Sequence, residues 1–369
     1  MNLYERYGLT PVINAAGTYT PLGVSRSSPY VAETAAAALG QFFVIDELQD
    51  RISQTVSQIY GVEAAALTHC VAAGITMAVA AAMTGTNETK IAALPNTRDL
   101  PSRVVIPAAH VVNYGHPILT DIRLAGATPI QVGGHEACQI AELDAALADT
   151  DTACLLLVSS RLTQGPRVDF DEAVRVAHKR SIPVIIDGAA QDIRLEELLR
   201  TGADIVLVSA HKYLAAPTAG LMIGRADYVA ACRAQEKGIG RGMKASKEAL
   251  CGVLAALEER AALDRDDWRD EQARKVAWFL DQMQPVQSIV ATEWPDPSMA
   301  PFSRVVLQLD SAERAAALVA RLAHERPAIR VMEHELAQGR LILELVPLTD
   351  RELDVVASRI ASADASAHR

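Results

Sequence analysis

The 369-residue chain has no cysteine pattern that could frame a disulfide core: Cys70, Cys138, Cys154, Cys232 and Cys251 are odd in number, scattered and free of CxxC spacing. It has no stretch near the roughly 18 uncharged apolar residues needed to cross a bilayer. Glu5 and Arg6 break up the N-terminus where a secretory leader would need an apolar run. Positive charge is in deficit, with a formal net charge of −10, so the chain carries no broad field for a phosphate backbone. His110, His116 and His135 lack zinc-ligand spacing, and no internal repeat is visible. These absences exclude a secreted disulfide scaffold and a helical membrane protein. They lead us to expect a cytoplasmic protein with no metal, no nucleic-acid partner and no membrane partner.

Half of the residues are apolar, enough for a sizeable core and two to three domains. Seven short β-branched or apolar runs lie near residues 64–67, 103–106, 128–132, 153–158, 183–187, 205–209 and 220–224, most of them separated by helical periodicity. That alternation predicts an α/β fold with a mainly parallel seven-stranded sheet. Ile45, Leu48, Ile52, Val56 and Ile59 mark one face of a helix that Gly61 terminates, and a second helix is expected over 169–180. A long helical stretch is expected from about 245 to Met283, with its charged part, 258–275, on a solvated face. A smaller C-terminal α+β domain follows, with strands at 304–309, 329–334 and 341–346 and helices at 312–325 and from Asp350. The four prolines in 285–301 suggest a linker, and 361–369 suggests a loose end. The expected division is an N-terminal arm and active-site segment at 1–45, a large domain at 46–250, and a long helix with the small domain at 251–369.

The chemistry-bearing residues stand at the ends of these runs. Asp187 closes Val184-Ile185-Ile186, and Ser209-Ala210-His211-Lys212 closes the run from Ile205, twenty-five residues on. In open α/β sheets, ligands meet the carboxyl ends of the strands. A lysine amine and a carboxylate placed there are what pyridoxal phosphate (PLP) requires: the amine holds the aldehyde as a Schiff base, and the carboxylate keeps the pyridine nitrogen protonated. Between a strand at 64–67 and an alanine-rich helix, Thr68-His69-Cys70-Val71-Ala72-Ala73-Gly74 forms a small-residue turn whose first helical amides, at Val71 and Ala72, suit a phosphate. The Ser209 hydroxyl would be a further donor. Cys70 reads as a small residue filling that turn and is counted with the cofactor-binding set. His110, after the strand at 103–106, could stack on the pyridine ring.

Asn14-Ala15-Ala16-Gly17-Thr18, Leu22-Gly23, Asp46-Glu47-Leu48-Gln49, Ala72-Ala73-Gly74, His110, Leu124-Ala125-Gly126, Asp187-Gly188-Ala189-Ala190-Gln191, Ser209-Ala210-His211-Lys212 and Gly240-Arg241-Gly242-Met243-Lys244 occur in this order. With them, most of residues 11–260 resembles the selenocysteine synthase-like group of fold type I PLP enzymes, which includes L-seryl-tRNA selenium transferases and D-glucosaminate-6-phosphate ammonia-lyase-type proteins. The resemblance implies that Lys212 carries the cofactor, Asp187 pairs with the ring nitrogen, His110 stacks, and Val71 and Ala72 hold the phosphate. Gln191 and His211 join the cofactor set, and Arg241 comes near the active site. Relatives often carry an arginine for the substrate acid where this chain has Val346, so Arg241 or Arg330 is expected to take that task.

The charge and the short lead-in to Asn14 favour the lyase-like branch over the tRNA-using one. The expected activity is therefore a PLP-dependent α,β-elimination from a small hydroxy amino acid or amino sugar acid, phosphorylated or D-configured, with Lys212 as base and His211 or Thr18 helping the leaving group. A racemase or aldolase would use the same lysine and carboxylate, and a selenium or sulfur transferase on aminoacyl-tRNA is the less favoured alternative. By resemblance, the assembly is a homodimer or a larger even homo-oligomer.

Overall fold

The computed structural model describes residues 2–367. Its strands, in chain order, are β1 (Val12–Asn14), β2 (Ala64–Thr68), β3 (Arg103–Pro107), β4 (Thr128–Val132), β5 (Thr152–Val158), β6 (Val184–Asp187), β7 (Ile205–Ser209), β8 (Gly220–Gly224), β9 (Ile289–Pro295), β10 (Ser303–Leu309), β11 (Ala328–Arg330) and β12 (Arg340–Leu343). The chain divides into two compact units, residues 27–262 and residues 1–26 with 263–369.

The larger unit is built on a seven-stranded sheet of order β2-β8-β7-β6-β5-β3-β4, in which β8 alone runs antiparallel to its neighbours. This is the mainly parallel sheet the sequence predicts. Its central strands β3, β5, β6 and β7 read as apolar runs because both faces are covered, whereas edge strand β4 is partly exposed. Val105, Leu155, Leu157, Val184, Ile186, Val206 and Val208 join one core, while the intervening Val104, Ile106, Cys154, Leu156, Ile185, Ile205 and Leu207 join the other. Since β2 to β7 all run the same way, Thr68, Pro107, Val158, Asp187 and Ser209 end on one edge.

Edge strand β2 is closed by side chains rather than by another strand. On helix Ile45–Tyr60, the buried Gln49 amide donates to the Leu67 carbonyl (2.9 Å) and accepts from the Leu67 N–H (2.8 Å), and the Ser53 hydroxyl accepts from Ala65 N–H (3.0 Å). Backbone groups that would otherwise template a foreign strand are thus satisfied. The same helix buries Ile52 and Val56, with Leu48 and Ile59 at the margin and Gly61 at φ +67 as its cap. Ile45, expected on the core face, is exposed.

The smaller unit holds an antiparallel sheet β12-β10-β9 and a parallel pair β1-β11 around a core that includes Phe279, Leu307, Leu318 and Val356. The N-terminal motif is built into it: Asn14 pairs with Arg330, Ala16 bridges to Glu344, and Gly17 at φ +69 lies so close to the Glu344 carboxylate that a Cβ would meet it at 2.5 Å. Arg304, itself fully buried, binds Glu344 through Nε (2.9 Å) and Nη2 (2.7 Å) and also binds Asp296.

Several sequence expectations change. The unit limits lie at 26/27 and 262/263 instead of 45/46 and 250/251, because helix Pro29–Leu39 packs on helix Lys247–Ala262 within the larger unit. The stretch from 245 is two helices, Lys247–Ala262 and Arg265–Met283, with Asp264 capping the second. The proline-rich 285–301 is no linker, since β9 pairs along its length with β10. Its prolines fall at the ends of the strand and outside it, where no ladder N–H is missed. Helix Asp350–Ala367 covers most of the expected loose end, and residues 368–369 lie outside the described residues.

Arg304 answers two buried carboxylates, and removing one side of such a cluster leaves uncompensated charge. Arg304→Met should therefore cost about 3–5 kcal/mol, read as a lowered urea midpoint of the full chain.

Candidate active site

The residues singled out by sequence converge, within the larger unit, on the edge where the parallel strands end. Helix Val71–Thr84 begins directly after β2, with Cys70 as its N-cap and no side-chain cap. The amides of Val71 and Ala72 find no protein acceptor among the described residues. Gly220, the first residue of β8, supports this turn at contact distance: a Cβ there would sit 2.6 Å from the Cys70 carbonyl carbon and 2.8 Å from Val71 N. The turn is also tied down from its other side, for the Thr68 hydroxyl (2.6 Å) and the His69 N–H (2.7 Å) both donate to the Met243 carbonyl. That bond brings Gly240-Arg241-Gly242-Met243 alongside the loop, with Arg241 exposed.

Asp187 ends β6 in a buried position and accepts the Ala189 N–H at 2.9 Å. Loss of water pushes its pKa up to about 6, against the pull of the nearby Lys212 charge. Lys212 is half-buried, one turn beyond the end of β7. Its loop is pinned from behind: Arg260 donates to the Tyr213 carbonyl (2.8 Å) and pairs with buried Asp192 at 3.0 Å. Within a stretch expected on a solvated face, the Arg260 side chain is only 7% exposed because Asp192 answers it.

His110 is buried; its Nδ1 accepts the Val158 N–H (3.1 Å), so Nε2 carries the hydrogen. Phe170 meets the ring edge-on at 5.9 Å. Burial pushes the His110 pKa down to about 4, which keeps the ring neutral near pH 7. Ser209 and Gln191 are buried, and the Ser209 hydroxyl lies 3.3 Å from His211 Nδ1, which also faces the Ala219 carbonyl at 3.2 Å. Thr18, Arg330 and Val346 belong to the smaller unit; Thr18 is half-buried just past the Gly17 turn, and Val346 offers only its carbonyl, to Lys275 at 3.3 Å.

One buried group escaped the sequence reading. Asp121, on helix Leu119–Leu124, takes a hydrogen bond from Tyr114 and lies 3.1 Å from His116 Nε2, and its charge acts on Asp187. The only hint in the sequence was the crowding of Tyr114 and His116 just after His110.

An amide cradle without acceptors, a half-buried amine, a dry carboxylate and a neutral ring on one strand edge fit the phosphate, aldehyde, ring nitrogen and ring face of PLP. Known proteins agree. The family described as beta-eliminating lyase matches residues 33–293. A D-glucosaminate-6-phosphate ammonia lyase of Salmonella typhimurium is 32% identical over 362 residues, covering 97% of each chain. A 5'-C-glycyluridine monooxygenase-decarboxylase of a Streptomyces species is also 32% identical, over 344 residues, covering 92% of this chain and 86% of the other. Among solved structures, a D-glucosaminate-6-phosphate ammonia-lyase superposes with a TM-score of 0.87 at 31% identity, covering all of both chains.

Two predictions follow from the geometry. Between pH about 4 and 6 the folded apoprotein keeps a proton on Asp187 that the unfolded chain has released, so this residue lowers stability as pH rises through that window, by at most about 3 kcal/mol. His110 acts with the opposite sign between about 4 and 6.5, where the unfolded chain binds the extra proton. Asp187→Asn should thus make the apoprotein more stable than wild type at pH 8 but not at pH 4, in thermal melts. Gly220→Val should push the Cys70–Val71 backbone away and weaken PLP binding at least tenfold in a fluorescence titration, leaving the fold intact by circular dichroism.

Proposed function

The chain belongs to the beta-eliminating lyase family, and from that premise we propose that it removes first a β-hydroxyl and then ammonia from a small hydroxy amino acid or amino sugar acid, D-configured or phosphorylated. It is a PLP-dependent lyase of fold type I. The observation that carries the proposal is the meeting of Lys212, Asp187, His110 and the Val71 and Ala72 amides at one end of the sheet, with Asp187 buried and within reach of the Lys212 charge.

When bound, PLP supplies an electron sink for the bond broken at the substrate Cα. The protein's own residues do the rest. The Val71 and Ala72 amides, with the Ser209 hydroxyl, hold the phosphate at the positive end of a 14-residue helix. Asp187 would hold the ring nitrogen, where its negative charge would favour a proton on that nitrogen. His110 presents its neutral face to the ring, and Gln191 and Cys70 line the same end of the sheet. Lys212 Nζ is the attachment point and afterwards the base that takes the Cα proton. Pinning by Arg260 through Tyr213 keeps that amine from swinging into solvent. Arg241 is the proposed grip on the substrate acid group. The product enamine hydrolyses to a 2-keto acid and ammonia.

Two relatives of equal identity bear different activities in their names, so the substrate rests on the residues rather than on identity. Among the described residues no helix is long and apolar enough to cross a membrane. We place the enzyme in the cytoplasm, which its five free thiols support, and assemble it as a homodimer or larger even oligomer, which exposed Leu39, Phe42, Val44 and Ile45 support.

Purified protein with PLP should be yellow, absorbing at about 420 nm, and Lys212→Ala should lose that band together with about 10²–10⁴-fold in turnover. A panel of D- and L-hydroxy amino acids and amino sugar acid phosphates, read by ammonia and keto acid release, assigns the substrate. Racemised or aldol-cleaved products without ammonia would overturn the lyase reading.

A further inference from the structure

The loop that leaves His110 carries a polar cluster that the roles above do not use. Val112 N–H bonds the His110 carbonyl (2.8 Å), Ile118 N–H bonds the Val112 carbonyl (3.0 Å), and an Asn113–Pro117 bridge closes a tight turn over Gly115 at φ +118. This fixes Tyr114 and His116 on one side, with ring centroids 5.0 Å apart. Both reach the same carboxylate. The Tyr114 hydroxyl donates to Asp121 Oδ2, while His116 Nε2 lies 3.1 Å from Asp121 Oδ1 and 3.3 Å from the Tyr114 oxygen.

The three groups differ in their contact with water. The Asp121 side chain is 2% exposed, whereas the His116 side chain is 42% exposed and Tyr114 38%, so one buried carboxylate joins two groups that reach the surface. The Thr76 hydroxyl, on the helix whose first amides form the anion cradle, donates to the Asp121 carbonyl at 2.9 Å and fixes the inner end beside the site. Asp187 and Cys70 both act electrostatically on Tyr114, and Asp121 acts on Asp187. A carboxylate buried under a surface loop costs desolvation that an apolar residue would avoid. Its two proton-bearing partners point to a use.

We infer that His116, Asp121 and Tyr114 form a proton relay from solvent to the elimination site, with the Tyr114 hydroxyl as the acid that protonates the departing β-oxygen. This rests on the lyase reading above. Lys212 takes the Cα proton, and the electron pair left behind forms the Cα–Cβ double bond. The Cβ–O bond breaks with its pair on oxygen, which takes the Tyr114 proton and leaves as water. The phenolate then recovers a proton from His116 Nε2, 3.3 Å from the Tyr114 oxygen, which takes another from solvent while Asp121 holds the two groups together, so no oxidant or reductant is needed. His211 is less suited, since its ring is engaged by the Ala219 carbonyl and Ser209, and burial favours its neutral form.

A leaving group that needs no proton separates this role from a structural one. Holoenzyme and Tyr114→Phe are compared on D-serine and 3-chloro-D-alanine, and on the L pair, by keto acid release. The ratio of hydroxyl to chloride turnover should fall on the order of 100-fold in the variant, with the cofactor absorbance unchanged. Equal loss on both substrates, or an unchanged ratio, overturns the acid role. A second arm needs no turnover: ultraviolet titration of the apoprotein follows phenolate formation. Burial and the bond to Asp121 hold the Tyr114 pKa above its ordinary value, so Asp121→Asn should let one tyrosine ionise at lower pH, an effect missing when Tyr114→Phe is added. No such change overturns the relay. If wild type eliminates neither water nor chloride from these probes and releases no ammonia from any panel substrate, the lyase reading fails, while the titration still decides whether Tyr114 and Asp121 are coupled.

Discussion

A carboxylate kept out of water at the end of a central strand is the constraint around which the larger unit is arranged. Asp187 cannot carry its charge comfortably in that position without a positive partner, and burial raises its pKa to about 6. The positive charge at hand within the chain is the Lys212 amine; the proposed further partner is the protonated ring of PLP. Stability is given up locally so that a cation will be held tightly, the pattern expected where strain or charge serves a function. His110 is tuned the opposite way, its burial keeping it neutral, which suits the stacking role proposed for it.

Precision at that edge comes from backbone contacts, not from the reacting side chains. Gly220 lets β8 approach the Cys70–Val71 turn, and the Met243 carbonyl gathers Thr68 and His69 from the other side. Gln49 gives edge strand β2 the hydrogen bonds of a missing neighbour, and Arg260 with Asp192 braces the lysine loop. Each is a buried polar group answered by a specific partner, which is how a loop-built site acquires the rigidity of its scaffold. In the smaller unit, the Gly17 turn rests on Glu344, which Arg304 neutralises together with Asp296.

What the sequence made legible followed from short-range rules. The central strands of the large sheet are readable because a parallel strand buried on both faces is a continuous apolar run, and their ends because polar residues begin there; edge strand β4 and antiparallel β8 are readable only as short apolar runs between turns. Lys212, Asp187, His110, Val71 and Ala72 were found as polar or small residues at those ends. The errors also have local causes. Proline density in 285–301 hid β9, because prolines flanking a strand look like prolines that forbid one. The charge around Arg260 looked solvated because its partner Asp192 lies 68 positions earlier.

The sequence by itself determined the strand-and-helix alternation, the chemistry of a lysine and a carboxylate at strand ends, and the family resemblance, since each is written in residues close along the chain or in the order of motifs. Only the tertiary structure decided which groups share a buried space. The Gln49 graft on β2, the close approach at Gly220, the Asp192–Arg260 brace and the Tyr114–Asp121–His116 cluster all depend on distances that sheet order and helix packing set. Desolvation, which makes such polar contacts consequential, exists only once the chain has closed around them.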